Sequence, residues 1–200
     1  MEMEPAVTSG SVPAAQTSAR IPSGKLAMWW FLASEIMTFG GLLASFVLCR
    51  FAAGGWEEQA AHVNTRLAAF NTLLLVSSSL TLVQAHAAVK ADARNRVAPY
   101  MLCTILLGLA FLGVKGYEYS GEIAHGFTPS AGPFWSFYYG LTGLHALHVF
   151  AGVIANTSLY VLVIRGRLWP RVQQRIEYAG LYWHFVDVVW IFLFPLVYLS

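Results

Sequence analysis

Charge is scarce in this sequence: of 200 residues, 11% are Asp, Glu, Lys or Arg, against about a quarter in an ordinary water-soluble domain. A surface so poor in charge cannot be solvated throughout, which excludes a typical soluble globular protein. The formal net charge is only +2 and its basic residues are scattered, so no nucleic-acid-binding patch exists. Cysteine is almost absent. Cys49 and Cys103 form no C-x-x-C pair, which excludes a disulfide framework and a cysteine-based zinc or dicopper centre. Both fall in or beside apolar runs and are expected to be free thiols acting as small buried hydrophobes. At this length one folded domain is expected.

Long apolar runs are abundant by contrast, and 57% of the residues are hydrophobic. Five runs stand out, at about 26–49, 67–89, 97–120, 134–164 and 178–200. A hydrocarbon core of about 30 Å needs about 20 helical residues at 1.5 Å each. The third run is the shortest, and reaches residue 120 only if Lys115 snorkels towards the interface. Membrane β-strands would show alternating segments of about ten residues, whereas these runs are continuous. The predicted fold is therefore an all-α membrane protein, a bundle of five transmembrane helices in a domain spanning 26–200. Residues 1–25, rich in Pro, Ala, Ser and Thr, read as a disordered cytoplasmic tail. They lack the short apolar core of a signal peptide.

Basic residues orient the bundle. Arg20, Lys25, Lys90, Arg94, Arg96, Arg165, Arg167, Arg171 and Arg175 fall on one side of five crossings, and Arg50, Arg66 and Lys115 on the other. Lys and Arg favour the cytoplasmic side in short loops, which predicts the N-terminus inside and the C-terminus outside. Trp29 and Trp30 at one interface and residues 134–139 at the other supply aromatic belts.

Ionisable residues within spans cost about 2.5–3.5 kcal/mol at mid-membrane and so turn towards protein or water. Glu35 lies about ten residues, roughly 15 Å, into the first run. His145 and His148 share one helix face at i,i+3, as do His184 and Asp187. These five residues admit three readings: part of a metal site, a proton-conducting chain, or an interhelical hydrogen-bond network that sets bundle register. Gly40, Gly41 and Ser45, and Ser77 with Thr81, read as small-residue helix contacts. Asn71, Gln84, His86 and Asn156 read as interhelical hydrogen-bonding groups. Residues 121–133 read as a Gly/Pro-punctuated outer loop, with Glu118, Glu122 and His125 solvated beside it.

The stretch Tyr182-Trp183-His184-Phe185-Val186-Asp187-Val188-Val189-Trp190 resembles the last helix of cytochrome c oxidase subunit III. Gly143-Leu144-His145-Ala146-Leu147-His148 is similar to that family's G-x-H-x-x-H motif, and Ser34-Glu35 to its membrane-embedded carboxylate. Tyr117-Glu118-Tyr119 resembles its acidic position after the third segment. These motifs occur in family order and cover nearly the whole chain from Leu26. Many members carry two further N-terminal helices, and this chain resembles the shorter bacterial form. Because the lipid cleft of longer members involves those helices, no lipid-binding residue is transferred.

The resemblance implies an accessory, non-catalytic subunit of a proton-pumping terminal oxidase in the bacterial cytoplasmic membrane. Haem and copper would belong to partner subunits, with no catalytic, cofactor-binding or metal residue here. Subunits I and II are the implied partners, with phospholipids around the chain and cytochrome c reached through the complex. The implied role is assembly, stability and proton uptake of the catalytic subunit. Glu35 would be protonated or share a proton with a bundle histidine. Alternatives are a quinol oxidase subunit III, an accessory subunit of nitric oxide reductase and, more remotely, a stand-alone proton or ion transporter. The Ser34-Glu35 pair, where quinol-oxidase versions more often resemble Ser-Asp, favours cytochrome c as donor.

Overall fold

The computed structural model describes residues 23–166 and 169–199 of the chain. The predicted tail, up to residue 22, falls outside them, as do Arg167 and Ser200. The described residues are helical, with no strand among them. The helices are α1 (Ser23–Ala52), a single turn α2 (Glu57–Ala60), α3 (Thr65–Lys90), α4 (Arg94–Ala124), α5 (Pro133–Ile164) and α6 (Trp169–Tyr198). All except α2 are long and apolar enough to cross a membrane. Helices answer the absence of water in lipid, because each backbone N–H and C=O finds its partner within the segment. At 26 to 32 residues, each is longer than the about 20 needed to span, so tilting or projection follows.

Chain direction alternates from helix to helix. The end where α1 and α6 begin is called proximal here, and the end where α1 and α6 finish is called distal. Lys25 and Glu177 pair at 3.3 Å at the proximal end, and Thr65 donates to the carbonyl of Tyr198 at 3.3 Å at the distal end. Asp92 in the left-handed region (φ 50°) makes the tight turn from α3 to α4. Asn64 caps α3 by accepting from the Leu67 N–H at 3.1 Å.

Helices α3, α4, α5 and α6 form the packed core, and α1 lies more lightly against α5 and α6. Trp183 sits at its centre, fully buried, with its indole N–H donating to Ser78 Oγ at 3.0 Å. Glycine on both flanking helices makes room for the ring. A Cβ on Gly152 would lie 2.7 Å from the indole, and one on Gly108 would lie 2.9 Å away. Small residues let helices approach closely in lipid, where packing replaces the hydrophobic effect as the driving force. Trp190 repeats the arrangement two turns on, donating to Thr72 Oγ1 at 3.0 Å.

Several local expectations are corrected. Helix α4 runs through residues 121–124 instead of breaking before them. Cys49 and Cys103 are free but exposed, because a face turned to lipid is as hospitable to a thiol as a core. Gly40 and Gly41 have open space at their Cβ positions, so they make no close helix contact within the chain. Asn156 donates to Gly152 within its own helix, and neither side-chain atom of buried Asn71 has a partner.

Candidate functional site

The polar side chains inside the bundle fall into separate groups, and the five residues singled out from sequence are divided among them. In the first group Glu35 on α1 meets His148 Nε2 on α5 at 3.1 Å. The other ring nitrogen of His148 shares a 2.8 Å hydrogen bond with the Leu144 carbonyl one turn back. Tyr182 on α6 donates to the His148 carbonyl at 3.0 Å, and Phe39 stands edge-on to the imidazole. This pair ties the lightly packed α1 to the core. Both side chains keep slight exposure, 18% for Glu35 and 14% for His148.

The second group lies in the seam of α3 and α6. Ser79 and His184 Nδ1 share a hydrogen bond of 2.6 Å. Asp187, one turn further along α6, is buried, and neither carboxylate oxygen has a hydrogen-bond partner. Ser79 also lies beside Asp187, and in the tautomer where His184 Nδ1–H donates to the Ser79 oxygen, the hydroxyl proton is left for the carboxylate.

His145 belongs to neither group. It is fully buried, edge-on to Phe111 and tilted against Trp190 with centroids 5.0 Å apart, and neither ring nitrogen is hydrogen-bonded. The i,i+3 relation puts His145 and His148 on one broad face, yet the first points into the core and the second towards α1.

The most elaborate group was not visible beforehand. Lys115, expected to snorkel, is only 2% exposed, and Glu118, expected to be solvated, is 3% exposed. Lys115 Nζ lies 3.2 Å from Glu118 Oε2 and also donates to the Tyr198 hydroxyl. Glu118 Oε1 accepts from Tyr138 at 2.7 Å and from Tyr198 at 2.8 Å. The rings of Tyr119, Tyr138 and Tyr198 lie 4.8–5.2 Å from the ammonium, within cation–π range. One ion pair on α4 thus joins α5 and α6 at the distal end. The signal was the i,i+3 spacing of Lys115 and Glu118, which puts both on one helix face. Glu122, expected to be solvated, is also buried, whereas His125 is exposed. A cavity of about 340 Å³ beside this group is lined by His62, Tyr117, Glu118, Glu122 and His125, among others.

Among the described residues no three His, Cys, Asp or Glu side chains are placed to hold a metal ion. The histidines are dispersed: His148 on Glu35, His184 on Ser79, His145 between two rings. The first two of these contacts tie helices together.

The sequence profile described as "Cytochrome c oxidase subunit III" matches residues 6–200. The chain belongs to the cytochrome c oxidase subunit III family. It is 37% identical over 172 residues to "Cytochrome c oxidase subunit 3" of Corynebacterium diphtheriae, covering 84% of this chain and 83% of the relative. It is 32% identical to "Probable quinol oxidase subunit 3" of Staphylococcus epidermidis, covering 88% of each chain. A third relative, "Heme-copper oxidase subunit I+III" of Aeropyrum pernix, is 33% identical over 86% of this chain and 22% of its own length. The chain is thus a subunit III of a haem–copper oxidase, a respiratory oxidoreductase complex, and its five apolar helices are those of a multi-pass membrane protein.

Proposed function

We propose that this subunit III serves a proton-pumping oxidase that takes electrons from cytochrome c, and that it carries no cofactor and performs no chemistry itself. It docks on subunits I and II in the bacterial cytoplasmic membrane, among phospholipids, with the N-terminus inside and the C-terminus outside. Its work is to support assembly, turnover stability and proton uptake of the catalytic subunit. The observation that carries this reading is that three sets of interior polar side chains pair across helices. The Lys115–Glu118 pair with its two tyrosines, Glu35 with His148, and Ser79 with His184 each tie helices together. Interhelical hydrogen bonds of this kind set which helices pack and in what register. The relative whose name joins subunits I and III supports subunit I as the partner.

Purification through a tag on this chain in mild detergent tests the reading. Haem-bearing subunits should accompany it, and the complex should oxidise reduced cytochrome c. A chain that purifies alone would defeat the proposal. A second reading, service to a quinol oxidase, is favoured by the Staphylococcus relative, and a complex that oxidises quinol but not cytochrome c would establish it.

A further inference from the structure

We infer that Asp187 is a proton-binding group supplied from the proximal end of the bundle through His86, His184 and Ser79. The inference goes beyond the reading of the chain as an oxidase subunit III and holds for either electron donor.

The seam between α3 and α6 carries a polar line along one face of each helix. Ser79, His86 and Lys90 lie on α3, and Gln173, Glu177, His184 and Asp187 on α6, at spacings of three, four and seven residues. Near the proximal end a cavity of about 520 Å³ is lined by His86, Lys90, Gln173 and Glu177, among others. A second cavity of about 230 Å³, sharing His86 and Glu177 with the first, reaches His184. A water needs about 30 Å³ and two to four polar partners, and these cavities supply both the room and the partners. From His184 the line continues through the 2.6 Å hydrogen bond to Ser79, beside which lies Asp187. Beyond it on α6 stand Trp190 and Leu193, both buried. The line therefore leads inward from the proximal end and finishes at the carboxylate.

Ionisable groups within spans mark proton relays where they line up with polar neighbours and a water-filled cavity. Asp187 is buried and neither of its oxygens is held in a hydrogen bond, unlike those of Glu118, so it can gain or lose a proton without breaking a helix contact. With Nδ1 of His184 on Ser79, Nε2 is the ring nitrogen left for the cavity that His184 lines. A proton passed from cavity water to Nε2 releases the Nδ1 proton to Ser79 Oγ, and Ser79 hands its own hydroxyl proton to Asp187. The carboxylate becomes a carboxylic acid, Ser79 keeps a hydroxyl, and the imidazole ends neutral in its other tautomer. The reverse sequence returns the proton to the cavity. Other ionisable groups near α6 are engaged elsewhere: Glu35 of α1 with His148 of α5, Lys25 of α1 with Glu177, and Lys115 of α4 with Glu118. His145 of α5 stands against Phe111 and Trp190.

Time-resolved infrared spectroscopy of the assembled oxidase in detergent, after photorelease of a caged proton, tests the assignment. The unmodified complex should gain a carboxylic-acid carbonyl band that moves in heavy water, is absent from Asp187→Asn and is displaced in Asp187→Glu. Ser79→Ala, which removes the relay hydroxyl, and His86→Phe, which fills the inlet, should each slow the rise of this band at least several-fold. Ser79→Thr keeps a hydroxyl and should restore the rate. Only preparations that retain the haem-bearing subunits are compared, so lost assembly is not read as a slow rise. The assignment is overturned if no band depends on Asp187, if the band rises as fast in Ser79→Ala or His86→Phe as in the unmodified complex, or if Ser79→Thr is as slow as Ser79→Ala.

Discussion

Lys115 and Glu118 lie 3.2 Å apart with side chains 2% and 1% exposed, so the bundle encloses both members of an ion pair near its distal end. Enclosing charges is costly, and the cost is offset only when every remaining donor and acceptor is occupied. Here Tyr138 and Tyr198 occupy the second oxygen of Glu118, and Tyr198 accepts from Lys115. The pair therefore holds three helices in one arrangement.

Removing one partner should be worse than removing both. Lys115→Met leaves a carboxylate enclosed without its cation and should cost about 3–5 kcal/mol, as single truncations of buried pairs do. The double variant Lys115→Met/Glu118→Gln should recover much of that loss. Reversible unfolding in mixed micelles, read as a double-mutant cycle, checks the non-additivity. Additive losses would show that the pair is not coupled.

The cradle of Trp183 gives a steric prediction. Gly152→Ala places a methyl 2.7 Å from the indole, and overpacking of this kind costs about 1–3 kcal/mol. Gly108→Ala, at 2.9 Å from both the indole and Val153, should fall in the same range. Gly113→Ala meets nothing within 4 Å and should be neutral or slightly stabilising through helix propensity. Equal melting temperatures for all three would refute the close approach.

These two features show where the sequence was readable and where it was not. Five spans could be read because run length and hydropathy are local properties, and the helices observed extend each run by a few residues at most, apart from α6, which begins at Trp169. Lys115 was misread because a lysine near the end of an apolar run ordinarily snorkels. What encloses it is Tyr138 from α5 and Tyr198 from α6, and their arrival depends on helix rotation that no local pattern encodes. The same holds for glycine. Gly40 with Gly41 looked like a contact and faces open space, while the isolated Gly108 and Gly152 receive the central tryptophan. Glu35, His148, His184 and Asp187 stood out by their rarity in apolar runs. Which partner each one meets was set by packing: His148 for Glu35, and Ser79 for His184 with Asp187 beside it.

Topology can be checked directly. The turn between α3 and α4 is flanked by Lys90, Arg94 and Arg96 on the predicted cytoplasmic side, and the loop between α4 and α5 lies opposite. In a chain with Cys49→Ser and Cys103→Ser, an impermeant thiol reagent applied to intact cells should label Thr128→Cys and spare Ala91→Cys. The reverse pattern would invert the orientation.

The lightly held α1 gives a prediction about dynamics. Among the described residues its polar ties to the core are Glu35–His148 and the Lys25–Glu177 pair. The latter is more than 40% exposed on both sides, and exposed pairs contribute little. Glu35 is better protected, and hydrogen bonds between membrane helices are worth about 0.6 kcal/mol on average and about 1.7 at most. Glu35→Ala should therefore lower the free energy of α1 opening by about 0.5–1.5 kcal/mol, a roughly two- to tenfold rise in amide exchange around residue 35. Glu35→Gln keeps an acceptor for His148 and should lose less. The amides of α4, far better packed than α1, should exchange unchanged in both variants, because opening of the peripheral helix leaves the Trp183 core intact. A uniform acceleration across all five spans would mean instead that α1 opens only with the whole bundle.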